Sequence, residues 1–346
     1  MKIQTDDVRK AARRVYQQTL SWQGWGLQQA LLLQRRFQPK ARGRERFVPT
    51  SYGLVRVLEY GFDSPEPQPL FVDFHGGGIV IYTADQDDCV NTFLARRCNI
   101  KVVSIDYPKA PKARYPAPLE ASYQVIQYYW NNAERLGVDR SCVGAGGYSA
   151  GGNLAAALQL MARERGDVAF AYQILVYPGL DMTIYSPERK GPGEAAPPKT
   201  AQLIRECCRA LGGKASGGSV PRRVMEIFGA CYYGGDPEKA KDPLISPLCA
   251  EPEQFRGQPP ALVIVCGKDS LRADGVRYAA RLREAGVSVR LLEFPAATHG
   301  FVIEDSHPVT RKARELMAEF ISGLCKKEEQ VICSGENHSM GKDGSV

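Results

Sequence analysis

The residues best suited to chemistry in this 346-residue chain gather around one serine, in Gly144-Ala-Gly-Gly-Tyr-Ser-Ala-Gly-Gly-Asn153. Gly147, Tyr148, Ser149, Ala150 and Gly151 form a G-x-S-x-G pattern. A short apolar stretch precedes it, and an Ala- and Leu-rich stretch that reads as a helix, 153–165, follows. A serine on a sharp strand-to-helix turn holds strained backbone angles, so its neighbours must be small, and its hydroxyl is lifted clear of the fold. The N–H groups after it open a helix and point toward incoming negative charge. Such a serine is a nucleophile only if a base and an orienting acid reach it. A glycine-rich turn that holds a serine by chance has neither, so the partners decide.

Three signals at expected strand ends supply partners. His75-Gly76-Gly77-Gly78 follows the apolar run 70–74. Three consecutive glycines leave backbone N–H groups unshielded by any Cβ, so an oxyanion can approach closely. Asp269 follows the expected strand 261–265, where a carboxylate can orient an imidazole and stabilise its cationic form. Asp274 competes for that role but is better suited to starting the next helix. His299 follows the expected strand 289–294. Of four histidines, His75 belongs to the glycine loop, His307 precedes Pro308 at a helix start and His338 lies in a polar tail, which leaves His299 as the base. The order Ser, Asp, His along the chain fits this assignment.

The elements that must hold these groups alternate. Strands are expected at 54–60, 70–74, 101–105, 142–146, 171–176, 261–265 and 289–294. Helices are expected at 85–97, 116–136, 153–165, 273–285 and 308–324. This rhythm predicts an α/β fold with a mostly parallel sheet covered on both faces. It stops between 181 and 246, where helices at 201–211 and 220–233 and a Pro- and Gly-rich linker at 186–199 predict an inserted helical cap segment. Residues 6–37 carry apolar residues at helical spacing, including Trp22 and Trp25, and predict N-terminal cap helices. The expected organisation is therefore 1–45 as N-terminal cap helices, 46–180 and 247–326 as core, 181–246 as the inserted cap segment and 327–346 as a disordered tail.

Hydrophobic residues make up 44% and charged residues 24%, enough apolar content for one large globular unit. The net charge of +7 is concentrated partly in the first fifty residues, in Arg13-Arg14, Arg35-Arg36 and the run 40–46. That run reads as a solvated face, with contact to an anionic membrane surface as the less favoured alternative. Nothing resembles a nucleic-acid module. No secretion signal or membrane-spanning stretch is evident, and ten scattered cysteines without a C-x-x-C read as reduced thiols of a cytoplasmic protein.

Taken together, the chain resembles the hormone-sensitive-lipase family of α/β-hydrolase esterases. The likeness rests on His75-Gly-Gly-Gly78, Asp106-Tyr107, Ala110-Pro111, Tyr115-Pro-Ala-Pro118, Gly147-Tyr-Ser-Ala-Gly-Gly152, Tyr177-Pro178, Asp242-Pro-Leu-Ile-Ser-Pro-Leu248, Asp269 and His299-Gly-Phe301. It implies an α/β-hydrolase fold with a helical cap over an acyl pocket. It also implies Ser149 as nucleophile, Asp269 and His299 as its partners, and an oxyanion hole from the N–H groups of Gly76, Gly77 and Ala150. Gly78, Tyr82 and Tyr148 are expected to touch substrate. Two departures stand out. Tyr148 replaces the usual Asp or Thr before the serine and is expected at the pocket rim or against a neighbouring loop. Ile79-Val80-Ile81-Tyr82-Thr83 replaces the usual aromatic and Gly-Ser after the glycines.

The expected function is hydrolysis of short- to medium-chain esters through an acyl-enzyme, with a small-molecule substrate and no metal or cofactor. An amidase, deacetylase or peptidase would use the same triad. A small-molecule receptor of this fold and a lipase at a membrane surface are the other readings. A homodimer is compatible with the sequence.

Overall fold

The structure, a computed structural model, describes residues 41–183, 220–305 and 307–325. The expected N-terminal helices, the linker at 186–199, the helix at 201–211 and the tail lie outside the described residues. In chain order the main elements are β1 (Arg44–Thr50), β2 (Gly53–Tyr60), β3 (Gln68–Phe74), α1 (Asp88–Cys98), β4 (Lys101–Asp106), α2 (Ala117–Asn131), β5 (Val138–Tyr148) and α3 (Ala150–Arg165). They continue with β6 (Tyr172–Val176), α4 (Arg222–Tyr232), β7 (Ala261–Cys266), α5 (Arg272–Glu284), β8 (Val289–Phe294) and α6 (Thr310–Cys325).

Among the described residues the strands form one eight-stranded sheet in the order β1-β2-β4-β3-β5-β6-β7-β8. β2 runs antiparallel to β1 and β4, and every other pair is parallel. The central strands β4, β6 and β7 are buried at every position. That is the signature of a parallel sheet with helices on both faces. Alternate side chains feed two cores. Leu70, Val72 and Phe74 join α2, α3, α4 and α5 on one face. Phe71, Ile174, Leu262 and Ile264 join α1 and α6 on the other. The parallel strands all end on one edge, so the loops after β3, β5, β7 and β8 open together.

Three features differ from the sequence reading. β1 begins inside the basic run 40–46 and was not expected as a strand. Its arginines have partners on β2: Arg44 donates to Glu59 from both Nε (3.0 Å) and Nη2 (2.9 Å), and Arg46 also pairs with Glu59. The run is therefore consumed in cross-strand pairing as well as solvated. The helix expected at 116–136 ends at Asn131. There the Asn132 side chain bonds back to the Tyr128 carbonyl (2.8 Å), and a single separate turn, Ala133–Leu136, follows. The expectation of reduced thiols fails at one pair. Cys142 of β5 and Cys325, the last residue of α6, form a disulfide with Cα atoms 5.6 Å apart. The residues are 183 positions apart in sequence, and only the packing of α6 across the sheet brings them together.

Candidate active site

Ser149 is the one residue between β5 and α3, at φ 56° and ψ −116°. Such angles are costly for a non-glycine residue and persist only where neighbours enforce them. Here the Ser149 N–H donates to the Val176 carbonyl (3.0 Å), and the Ser149 carbonyl accepts from Asn153 N (3.2 Å) and Gly179 N (3.4 Å). The two pattern glycines are needed for space. A Cβ on Gly151 would lie 1.9 Å from the Phe74 carbonyl oxygen, and one on Gly147 would lie 2.5 Å from the same atom. The end of β3 is thus pressed against the serine turn. Asn153 ties the turn to two distant stretches, donating from Nδ2 to Gly179 O and Ile245 O, both at 2.9 Å.

The glycine loop leaves β3 at His75. The His75 ring is fully buried, stacks on Tyr107 at 4.3 Å between centroids, and lies 2.6 Å from the Gly76 carbonyl through Nδ1. Burial, aided by the nearby Lys109 charge, holds its pKa down to about 3. The ring is therefore neutral and donates its Nδ1 proton to that carbonyl. Tyr107 donates to the His75 carbonyl at 2.7 Å. Two carbonyls of the loop are thereby tied down on the side away from the cavity. Gly76 runs against the serine, since a Cβ there would lie 3.6 Å from the Ser149 Cβ. A Cβ on Gly78 (φ 64°) would lie 2.1 Å from the Phe228 ring, so helix α4 closes directly on the loop.

Asp269 follows β7 and His299 follows β8. The Asp269 side chain is fully buried and accepts from His299 Nδ1 at 2.7 Å; its second oxygen accepts from Leu271 N at 3.1 Å. The competing Asp274 does different work. It lies on α5 and accepts from Leu180 N (2.8 Å) and Asp181 N (3.1 Å), tying down the chain that enters the inserted segment. Burial pushes its pKa up to about 6.

One cavity of about 340 Å3 draws these groups together: Ser149, His299, Gly76, Gly77, Gly78 and Ala150 all line it. Ile79, Ile81, Met182, Met225 and Phe228 make apolar walls, and Gln86, Glu304 and several tyrosines also line it. Tyr82 lines it, 37% exposed and at φ 68°. Tyr148 also lines it; of the two places expected, rim or neighbouring loop, its ring meets Tyr177, the first residue of the loop after β6. Tyr148 is 2% exposed, packs 6.2 Å from the Tyr177 ring, and belongs to the core under α1 and α6. It is the last residue of β5, which is buried along its final seven positions.

Sequence reasoning missed Tyr177, Met225, Phe228 and Glu304 as cavity residues. Tyr177-Pro178 was visible as a motif, and its ring faces His299 at 4.7 Å. Met225 and Phe228, three apart on α4, had the spacing of one helix face but no signal for which face. Among the described residues no group of three or more His, Cys, Asp or Glu could hold a metal ion.

A family model described as the alpha/beta hydrolase fold matches residues 71–303. The chain belongs to the alpha/beta hydrolase family. The likeness to its hormone-sensitive-lipase-type esterases, read from the motifs, holds in the relatives of this chain. It is 31% identical over 260 residues to the carboxylic ester hydrolase LipN of Mycobacterium tuberculosis, a match covering 74% of this chain and 63% of LipN. A second relative, the carboxylesterase NlhH of the same organism, is 31% identical over 234 residues, covering 68% of this chain and 66% of NlhH. The match thus spans a little under two thirds of either mycobacterial protein. Among solved structures, the carboxylesterase EstE1, cloned from a metagenomic library, superposes with a TM-score of 0.70 at 30% identity, covering 87% of this chain and 95% of EstE1. An esterase of Pyrobaculum calidifontis gives 0.69 at 29% identity, covering 89% and 97%.

Proposed function

We propose that this chain is a serine carboxylesterase acting on uncharged esters with short to medium acyl chains. The observation that carries the proposal is the Asp269–His299 hydrogen bond of 2.7 Å, with His299 facing the same small cavity as Ser149 and the glycine loop. With Nδ1–H donating to Asp269, the His299 Nε2 is free to accept the Ser149 proton. The serine then attacks the ester carbonyl. The tetrahedral oxyanion rests on the N–H groups of Gly76, Gly77 and Ala150, each such donor contributing about 3–4 kcal/mol to the transition state. His299 returns the proton to the leaving alkoxide, an acyl-enzyme remains on Ser149, and a water activated by His299 releases the acid. A cavity of about 340 Å3 lies near the small end of ligand pockets, about 300–1,000 Å3, and its walls are largely apolar. Both features favour a compact, uncharged acyl group.

The test is Ser149→Ala. Hydrolysis of p-nitrophenyl butyrate should fall on the order of 10^6-fold with unchanged circular dichroism, and fluorophosphonate labelling should vanish. Retained turnover would overturn the assignment. Rates on matched aryl esters and anilides separate an esterase from an amidase, and ligand retained unhydrolysed by unlabelled protein would mark a receptor. Among the described residues no helix is long and apolar enough to cross a membrane.

A further inference from the structure

We propose that a second groove, on the far side of the turn that follows His299, is a binding site for a phosphate-type anion. The groove holds about 470 Å3 and shares no lining residue with the ester cavity. Arg42, Phe93, Arg96, Arg97, Asp305 and Arg314 line it. The four guanidiniums come from three places: the approach to β1, the last turn of α1, and α6.

How these arginines use their donors is the central observation. Arginine ion pairs in this protein take two forms: some commit both prongs of the fork, and others, such as Arg46 with Glu59 and Arg277 with Asp181, use one nitrogen. Arg44 grips Glu59 through Nε and Nη2 (3.0 and 2.9 Å), and Arg272 grips Glu293 the same way (3.0 and 2.7 Å). Two arginines of the groove take the one-nitrogen form. Arg42 donates to Asp88 from Nε alone (2.9 Å), and Arg97 to Glu315 from Nε alone (3.1 Å). Their terminal nitrogens have no partner among the described residues, and neither has any nitrogen of Arg96. Arg314, 10% exposed, is held through all three nitrogens: Nε donates to the Val302 carbonyl (2.9 Å), Nη1 to Asp305 (2.7 Å) and Nη2 lies 3.3 Å from the Cys89 sulfur.

Charge points the same way. Among the described residues Asp88, Asp305 and Glu315 stand against four guanidiniums, an excess of one cation in a concave site. Planar forks with free terminal N–H groups, approaching from different elements, suit the several oxygens of a phosphate better than a single carboxylate. Phe93, half-buried in the wall, offers an apolar surface for whatever carries the phosphate. A soluble phosphate ester and a lipid phosphate headgroup share this chemistry. The floor of the groove is the back of the turn after His299, since Arg314 holds Val302 and the Thr310 hydroxyl lies within hydrogen-bond reach of Phe301 O (2.5 Å) and Glu304 O (2.8 Å). This proposal does not depend on the esterase reading.

The experiment uses the full chain. Isothermal titration calorimetry with inorganic pyrophosphate and with glycerol 3-phosphate tests soluble ligands. Co-sedimentation with phosphatidylcholine vesicles, with and without phosphatidic acid, tests the headgroup. Saturable binding is expected in at least one arm. It should weaken at least tenfold in the double variant Arg42→Gln, Arg96→Gln and weaken steeply between 50 and 500 mM salt, as screening shortens from about 14 to about 4 Å. Binding to soluble phosphates assigns a soluble ester, and enrichment only on phosphatidic acid vesicles assigns a lipid. Arg42 and Arg96 are both exposed, and thermal melts confirm folding. The double variant Arg222→Gln, Arg256→Gln removes the same charge elsewhere and should bind as the parent does. Absence of saturable binding in both arms, or equal weakening in both double variants, overturns the proposal.

Discussion

Replacing Asp269 by Asn tests the site most sharply, because Asp274 stands five residues away as a built-in control. The carboxylate accepts the His299 Nδ1 proton at 2.7 Å with its side chain fully buried. An amide turned to donate to Nδ1 would put the ring proton on Nε2, where it blocks removal of the serine proton. Loss of that geometry in a triad of this type costs about 10^4 in kcat, equivalent to about 5 kcal/mol of transition-state stabilisation. Asp274→Asn keeps an acceptor for Leu180 N and Asp181 N, so kcat/KM should stay within about threefold of the parent, a barrier change of under about 1 kcal/mol. The assay is kcat/KM on p-nitrophenyl butyrate at pH 8, with circular dichroism and melting as controls. If Asp269→Asn keeps more than a tenth of the activity while Asp274→Asn loses most of it, the assignment of the two acids is reversed and the reasoning fails.

Other outcomes follow from the same geometry. Gly78→Ala should lower kcat/KM at least tenfold, since its Cβ would meet the Phe228 ring at 2.1 Å, and adding Phe228→Ala should restore part of it; an additive double mutant would contradict direct contact. The positive φ at Gly78 leaves about 1–2 kcal/mol of strain that the second change cannot relieve. Glu304 lines the cavity as an exposed carboxylate, so an uncharged ester should be preferred over an isostere with a carboxylate on its alcohol by about two- to fivefold, the range of an exposed charge pair. Glu304→Gln should erase that preference in paired kcat/KM measurements. Asp274 is held at about 6 against an ordinary 3.8. The native state therefore binds more protons than the unfolded state between those values, and this contribution to stability falls as pH rises through the window. Urea denaturation at pH 4 and pH 7 should show Asp274→Asn losing up to about 3 kcal/mol of that decline; an unchanged difference would show that its carboxyl is not held protonated.

Much of the site was legible because its chemistry is local. The serine turn needs Gly147 and Gly151 for space, the oxyanion loop needs bare backbone, and both needs leave glycines at fixed spacing. Asp269 and His299 could be read because parallel strands end on one edge and the loops after them carry function. The alternation of apolar runs with helical stretches was enough for the α/β class. β1 was not legible, because an edge strand built on Arg44, Glu45 and Arg46 has the composition of a solvated run until Glu59 and Arg56 are placed opposite.

The sequence by itself determined which backbone turns could exist, since glycine spacing and strand-end loops are written in neighbouring residues. Only the tertiary structure decided the hydrogen bond between His299 and Asp269, the burial of Tyr148, the closure of Phe228 on Gly78, the pairing of Cys142 with Cys325 and the gathering of four arginines into one groove. Each of these depends on groups far apart in the chain meeting across the sheet or beneath the inserted segment. Composition and periodicity describe what a stretch can do alone; distance, burial and partner geometry arise only when the stretches pack.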